Sequence, residues 1–258
     1  MRSRNCSIQA LILAAILCAS VSAFAAPVLQ LDIAGGSYDG DTILSNGSSF
    51  TLYAYYRGEG GNSHPTYDFS HYYISAAVTP MLGRTDTSPL GSFVFNGSTI
   101  NVPSDMVYGN PPFEVVAALQ GHDAGDLAHS GAYFPTYFSE FQFDFGPASF
   151  SQVYDTSLTT GIGPQAYTDG RRMYYAAFNV DVSGLNTDYA IHFDLYSEEI
   201  RRARLSGSTV TDIDVDKFAP FSHDAQSGGT PVPEPGTMVL LGSGLVGLAG
   251  WGRKRFRK

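Results

Sequence analysis

Two groups of side chains in this 258-residue chain have the types and spacing that metal chemistry needs. His122, Asp126 and His129 stand at i, i+4 and i+7, which a helix would gather on one face. Two imidazoles and a carboxylate there would suit Zn²⁺ or Fe²⁺. Gly121 and Gly125 favour a loop instead, which dissolves that spacing and leaves histidines bonded to nearby backbone. Asp212, Asp214 and Asp216 alternate with Ile213 and Val215, so a strand would carry three carboxylates on one face, about 7 Å apart. Hard oxygens of this kind would take Ca²⁺ under a closing loop. Without the loop they are the charged face of an edge strand, which discourages aggregation. No EF-hand or nonapeptide calcium repeat occurs. The expectation is no cofactor, with Ca²⁺ as the ion the acidic strand would accept.

Other constellations point to contact rather than reaction. Arg201, Arg202 and Arg204 follow Glu198 and Glu199. On a helix they would pair at i,i+3 and i,i+4; the sharper alternative is a contact with acidic sugar. Tyr53, Tyr55, Tyr56, Tyr72, Tyr73, Tyr133, Tyr137, Tyr174 and Tyr175 would stack on sugar rings if exposed on a sheet face. If buried, they pack across strands. G-x-S-x-G, H-E-x-x-H and phosphate-loop patterns do not occur. Carboxylate pairs for glycoside hydrolysis need a three-dimensional spacing, which the 24 acidic residues offer in many combinations. The chain reads as non-enzymatic, with no assigned catalytic residue.

The elements that must position these groups repeat with period two. Leu29, Leu31 and Ile33 oppose Gln30 and Asp32; Tyr72, Ile74, Ala76 and Val78 alternate with smaller residues. Phe141, Phe143 and Phe145 alternate with Gln142 and Asp144, and Ile191, Phe193 and Leu195 with Ala190, His192 and Asp194. Residues 209–216 share the pattern, and residues 49–56 are rich in aromatic and β-branched residues. These are half-buried strands. Gly- and Asn-rich turns separate them, and Phe95-Asn96-Gly97-Ser98 predicts a type I′ hairpin, because Asn-Gly tolerates positive φ. Residues 198–205 (EEIRRARL) hold the best helical period and could equally end a strand. The fold class is all-β: a single antiparallel β-sandwich, jelly-roll-like, over residues 26–226.

The two ends read as addresses. Residues 1–25 carry Arg2 and Arg4, an apolar run and Ala23-Phe24-Ala25, the pattern of a secretory signal peptide cut after Ala25 by signal peptidase following passage through the Sec translocon. Both cysteines, Cys6 and Cys18, lie in it, so no disulfide is available to the body. Residues 227–236 are a Pro/Gly linker, and residues 237–252 an uncharged apolar segment. As a helix, 237–251 spans about 23 Å, a short transmembrane helix ending at Trp251. The basic tail, 253–258, fits a cytoplasmic stop. Val232, Pro233, Glu234 and Pro235, then the apolar span, then Arg253, Lys254 and Arg255, resemble the PEP-CTERM sorting signal of Gram-negative bacteria. The resemblance implies recognition by an exosortase, removal of the tail near Pro233-Glu234-Pro235, and a transient inner-membrane anchor. Delivery to the cell surface or extracellular matrix would follow, often in exopolysaccharide-producing species. Segments 105–112, 134–138, 192–196 and 218–224 of the body are similar to the choice-of-anchor N family. That likeness implies an exported domain and brings no activity.

Charge agrees with an extracellular setting. Two of the 15 basic residues lie in the leader and five beyond residue 252, so eight face all 24 acidic ones. A domain near −16 repels nucleic acid and suits neutral sugars or divalent cations. The expectation is a surface or matrix protein with a structural or polysaccharide-binding sandwich. The alternatives are a secreted metal-dependent or glycoside hydrolase on the same scaffold, and a calcium-dependent adhesin.

Overall fold

The computed structural model describes residues 28–59, 66–120, 124–127 and 132–228. The expected leader, apolar segment and basic tail lie outside them. In chain order the strands are β1 Leu29–Ile33, β2 Ser37–Tyr38, β3 Ile43–Leu44, β4 Ser49–Tyr56, β5 Tyr72–Thr79, β6 Ser92–Phe95, β7 Ser98–Asn101 and β8 Val107–Gly109. There follow β9 Thr136–Phe143, β10 Phe150–Gln152, β11 Arg172–Asp181, β12 Ala190–Leu205 and β13 Ser208–Phe218. A 3₁₀ turn at Phe221–His223 precedes β14 Ala225–Gln226. No helix among the described residues is long and apolar enough to cross a membrane.

The strands form two sheets. The first runs β1-β4-β11-β6-β7, with β10 also on β11; the second runs β2-β3-β14-β12-β5-β9-β8, with β13 also on β12. One core joins them, drawn from Leu31, Leu52, Phe93 and Phe178 of the first sheet and Ile74, Ile191, Phe193 and Leu195 of the second. Phe95 stacks on Phe141 across the gap at 4.1 Å. Each such side chain, fully buried, stabilises by roughly 1.5–3 kcal/mol. The all-β expectation holds, but two details change. The pairing of β14 with β3 is parallel, because the chain returns from the 3₁₀ turn in the direction β3 already runs. The six- and eight-stranded sheets also exceed the eight strands of a jelly roll, so this strand order gives that finer description no specific support.

Local signals decided the hairpins. Asn96 (φ 47°) and Gly97 (φ 86°) both take positive φ, and Phe95 pairs with Ser98 as the I′ turn requires. Residues 198–205 are strand, not helix: after a register shift at Ser197/Glu198 they pair with β13 as a two-stranded ribbon. The β-branched run on β13 supplies partners that outweigh helical propensity. Arg201 accordingly pairs with Glu199 two residues back, and its Nε reaches Asp214 across the ribbon at 2.8 Å.

The outer faces are where the structure departs most from half-buried strands. All five residues of β1 are buried, Gln30 and Asp32 included. Residues 153–163 lie over them. Asp32 Oδ1 accepts the amides of Ile33 (2.9 Å) and Gly161 (2.8 Å). Its Oδ2 accepts the Tyr154 hydroxyl (3.2 Å) and the Gly163 amide (3.3 Å). Gln30 donates to Tyr154 O at 2.8 Å and accepts from the Thr156 amide at 3.0 Å. Burial raises the Asp32 pKa even against these bonds. Removing the acceptor strands several buried donors at once. Asp32→Ala is therefore expected to cost about 3 kcal/mol of unfolding free energy in urea and to speed amide exchange at Gly161 and Gly163. A cost below about 1 kcal/mol would show that the clamp is dispensable.

Candidate functional site

The outer face of the second sheet gathers polar side chains in register. On β12 the outward positions are His192, Asp194 and Tyr196. They stand opposite Ala77, Ser75 and Tyr73 of β5, which in turn face Phe138, Glu140 and Gln142 of β9. The row Asp194–Ser75–Glu140 thus sets two carboxylates on either side of a hydroxyl. The first eight residues of β12 are buried on both faces, since the connection between β8 and β9 folds back over this sheet.

That cover is pinned by an apolar cluster of Leu127 and Phe134 with Ala77, Phe138 and Tyr196, and by backbone. Leu127 N donates to Pro111 O at 2.9 Å, and Val215 N to Gly125 O at 2.9 Å. Glu114 Oε1 accepts the Ile213 amide at 3.1 Å. Gly125 sits so close to Asp214 that any side chain there would overlap the carboxylate.

Beneath the cover, His192, Asp194 and Asp224 converge. His192 Nε2 lies 3.4 Å from Asp194 Oδ1 and 3.9 Å from Asp224 Oδ2, and one ligand atom from each falls within 4.8 Å of the others. The Tyr133 ring stacks on the imidazole at 3.5 Å and 8°, and its hydroxyl is 3.4 Å from Thr42 Oγ1. Ser75 Oγ donates to Asp194 Oδ2 at 2.8 Å. Burial, then the neighbouring Asp194 and Asp41, push the Asp224 carboxyl well above the usual carboxylate range. Such a cluster can hold a proton or a divalent cation.

Farther along the same face Glu140 meets Glu198. Tyr196 donates to Glu140 Oε1 at 2.5 Å, and the Phe113 amide donates to the same oxygen at 3.1 Å. Glu140 also lines a cavity of about 380 Å³ walled by Val107, Phe113, Phe138 and Phe141. Burial and the adjacent Glu140 charge raise Glu198 to about 8, with the Tyr73 hydroxyl opposing. A carboxyl that keeps its proton at neutral pH beside a second carboxyl is the raw material of acid–base work.

The groups singled out from sequence fall differently. His122 and His129 lie outside the described residues; Asp126 is half-buried in the cover beside Leu127. Asp214 is buried against Arg201, and Asp216 is exposed with Lys217 Nζ at 2.6 Å. Among the described residues the convergent His/Asp/Glu group is His192, Asp194 and Asp224, not the β13 aspartates. Arg202 and Arg204 are exposed on the ribbon. None of the nine tyrosines is exposed: Tyr55, Tyr56, Tyr72, Tyr137 and Tyr174 are buried, and the other four half-buried. Their packing reading prevails, because both sheet faces are covered. A Ser222–His223–Asp155 relay also forms, at 2.8 and 3.0 Å. Asp155 Oδ1 there also accepts the Ser157 and Leu158 amides, so the relay fastens the 3₁₀ turn to that loop. The sequence signal for the main cluster was the His-x-Asp pair on one strand face; nothing local pointed to Asp224.

The raised Glu198 pKa has a sign. Folded, it keeps its proton from its ordinary 4.5 up to about 8, whereas the unfolded chain releases it near 4.5. The folded state binds more protons in that window, so this contribution to stability is full below it and falls as pH rises through it. Glu198→Gln is expected to match wild type in melting temperature at pH 4.5 and to exceed it at pH 9. An equal difference at both pH values would discount the pair.

No curated protein and no solved structure matches the chain. Residues 231–255 match the PEP-CTERM protein-sorting motif, which implies an exported protein recognised by an exosortase and held at the membrane before processing.

Proposed function

We propose that the protein is an exosortase substrate whose acidic two-sheet body is displayed at the surface or released into the extracellular matrix as a non-enzymatic, polysaccharide-contacting structural module. The observation that carries this is the sorting motif at 231–255 following directly on a finished domain. β14 and the next residues are stitched into the sheet, with Ser227 N on Ile191 O at 2.8 Å and Gly228 N on Ser45 Oγ at 2.7 Å. The tail can then be cut without touching the core. The matched motif lies wholly in the tail, so the expected likeness of the body to choice-of-anchor N proteins adds nothing to this reading.

Several features favour a structural role over the alternatives. Glu140 and Glu198 crowd one another, the Glu140 charge helping to raise Glu198, whereas a glycosidase holds its two carboxyls roughly 5 Å or more apart with the substrate between them. The His192 cluster is shut off from solvent, whereas a catalytic metal site must admit substrate to its open position. A calcium adhesin on β13 is disfavoured by the salt bridges of Asp214 and Asp216. For polysaccharide, support shifts from the tyrosine rows to a groove of about 470 Å³ lined by Asn46, Ser48, Ser183, Asn186, Thr187 and Tyr189. Amides, hydroxyls and one aromatic edge suit an uncharged sugar, and the acidic body repels anionic polymers.

Replacing Pro233, Glu234 and Pro235 with alanine is expected to leave the protein in the inner membrane with its tail attached, read by fractionation and intact mass. A normally shortened, surface-located product from that variant would refute the sorting claim. Mature protein recovered from cells should be retarded in gels containing neutral polysaccharides, and Asn186→Ala with Tyr189→Ala should weaken that at least about fivefold, about 1 kcal/mol. Retardation unchanged in the double variant would remove the groove from the reading.

A further inference from the structure

We propose that His192, Asp194 and Asp224 form a structural site for one divalent first-row transition ion of the Zn²⁺ type, which fastens two separate parts of the chain together. The distances are near those such an ion imposes. Bonds of about 2.0–2.2 Å in a tetrahedron set ligand atoms roughly 3.3–3.6 Å apart. His192 Nε2 stands 3.4 Å from Asp194 Oδ1 and 3.9 Å from Asp224 Oδ2. A shift of a few tenths of an ångström closes the second gap, and the two carboxylates, which lie within 4.8 Å of each other, would draw together on a shared ion. The donor set selects the ion class. Ca²⁺ prefers six to eight oxygens and seldom takes imidazole, whereas one imidazole and two carboxylates suit Zn²⁺, Fe²⁺ or Mn²⁺.

The ligands are also oriented by their neighbours, as metal ligands generally are. Ser75 Oγ takes Asp194 Oδ2 at 2.8 Å, which turns Oδ1 toward His192. The Tyr133 ring fixes the imidazole plane by lying flat on it at 3.5 Å. Two carboxylates held side by side in the interior repel one another, and a dication between them turns that repulsion into attraction.

Placement gives the site its purpose. His192 and Asp194 belong to the central strand of the second sheet; Asp224 comes from the turn before β14, which carries the end of the domain to β3. Tyr133 belongs to the cover. An ion there would lock the closing strand to the sheet centre, with the cover packed over it. Both cysteines precede residue 26, so no disulfide can do this in the exported body. Side-chain exposure of 0% for His192, 1% for Asp194 and 2% for Asp224 marks a closed site, loaded as the chain folds.

The test uses the full chain, unfolded in urea and refolded with Zn²⁺ or with EDTA. Refolding with Zn²⁺ is expected to retain close to one ion per chain after gel filtration and to raise the melting temperature by more than about 5 °C over the EDTA sample. Asp194→Asn and Asp224→Asn, which keep shape and hydrogen-bonding capacity, should retain no ion and melt alike in both conditions. Cobalt should give visible d–d absorption with wild type and none with either variant. Retention of no ion by wild type, with Asp224→Asn as stable as wild type or more so, would overturn the proposal in favour of a proton-sharing cluster. Equal ion retention by wild type and both variants would overturn it as adventitious binding elsewhere.

Discussion

A strand buried on both faces must satisfy every polar atom it carries inside the protein, because water is not there to do so. The first eight residues of β12 are in that position. Its inward side chains, Ile191, Phe193 and Leu195, meet the demand trivially. Its outward ones are a histidine, an aspartate and a tyrosine, and much of the second sheet is arranged around them. Ser75 answers Asp194, Glu140 answers Tyr196, Tyr133 lies on His192, and Asp224 arrives from the closing turn.

The two sheets solve the same problem with opposite electrostatics. Over the first sheet, Asp32 meets three backbone amides and a tyrosine hydroxyl, so one carboxylate organises a loop of donors. Over the second, acids face acids: Asp194 with Asp224, Glu140 with Glu198. A carboxylate among donors is at rest, while two together need a proton or a cation between them. Burial and like charge therefore act together at Glu198 and Asp224. The second face consequently holds the perturbed carboxyls, although neither acid pair opens widely to solvent.

The described residues hold no cysteine, so this architecture is held together without a disulfide among them. Stability comes from one core shared by two sheets, two covers anchored by buried polar groups, and a closing strand tied to the sheet centre. Gly228 is still bonded to Ser45, and the sorting motif begins three residues on. The exposed ribbon of β12 and β13 stands apart from this scheme, carrying Ile200, Arg202 and Arg204 outward from an acidic domain.

Period-two alternation, with aromatic and β-branched composition at β4, was enough to locate β1, β4, β5, β13 and the first half of β12, since side-chain direction in a strand is a local property. The turn at Asn96-Gly97 was equally legible, because only certain residues accept two positive φ values in succession. The sorting motif is linear and needs no fold to be read. Alternation also put His192 and Asp194 on one face, but it cannot say what lies over that face. They read as solvent-facing until the cover between β8 and β9 closed on them. Residues 198–205 likewise became strand only because β13 was there to pair with them. Asp224 joins His192 from 32 positions away, and Tyr133 from 59 on the other side, through contacts between segments that carry no sign of each other. By itself the sequence determined which residues alternate, where the chain turns and that it carries a sorting motif; tertiary structure alone decided which polar residues lose their water, because desolvation depends on what packs above a side chain and not on its neighbours along the chain.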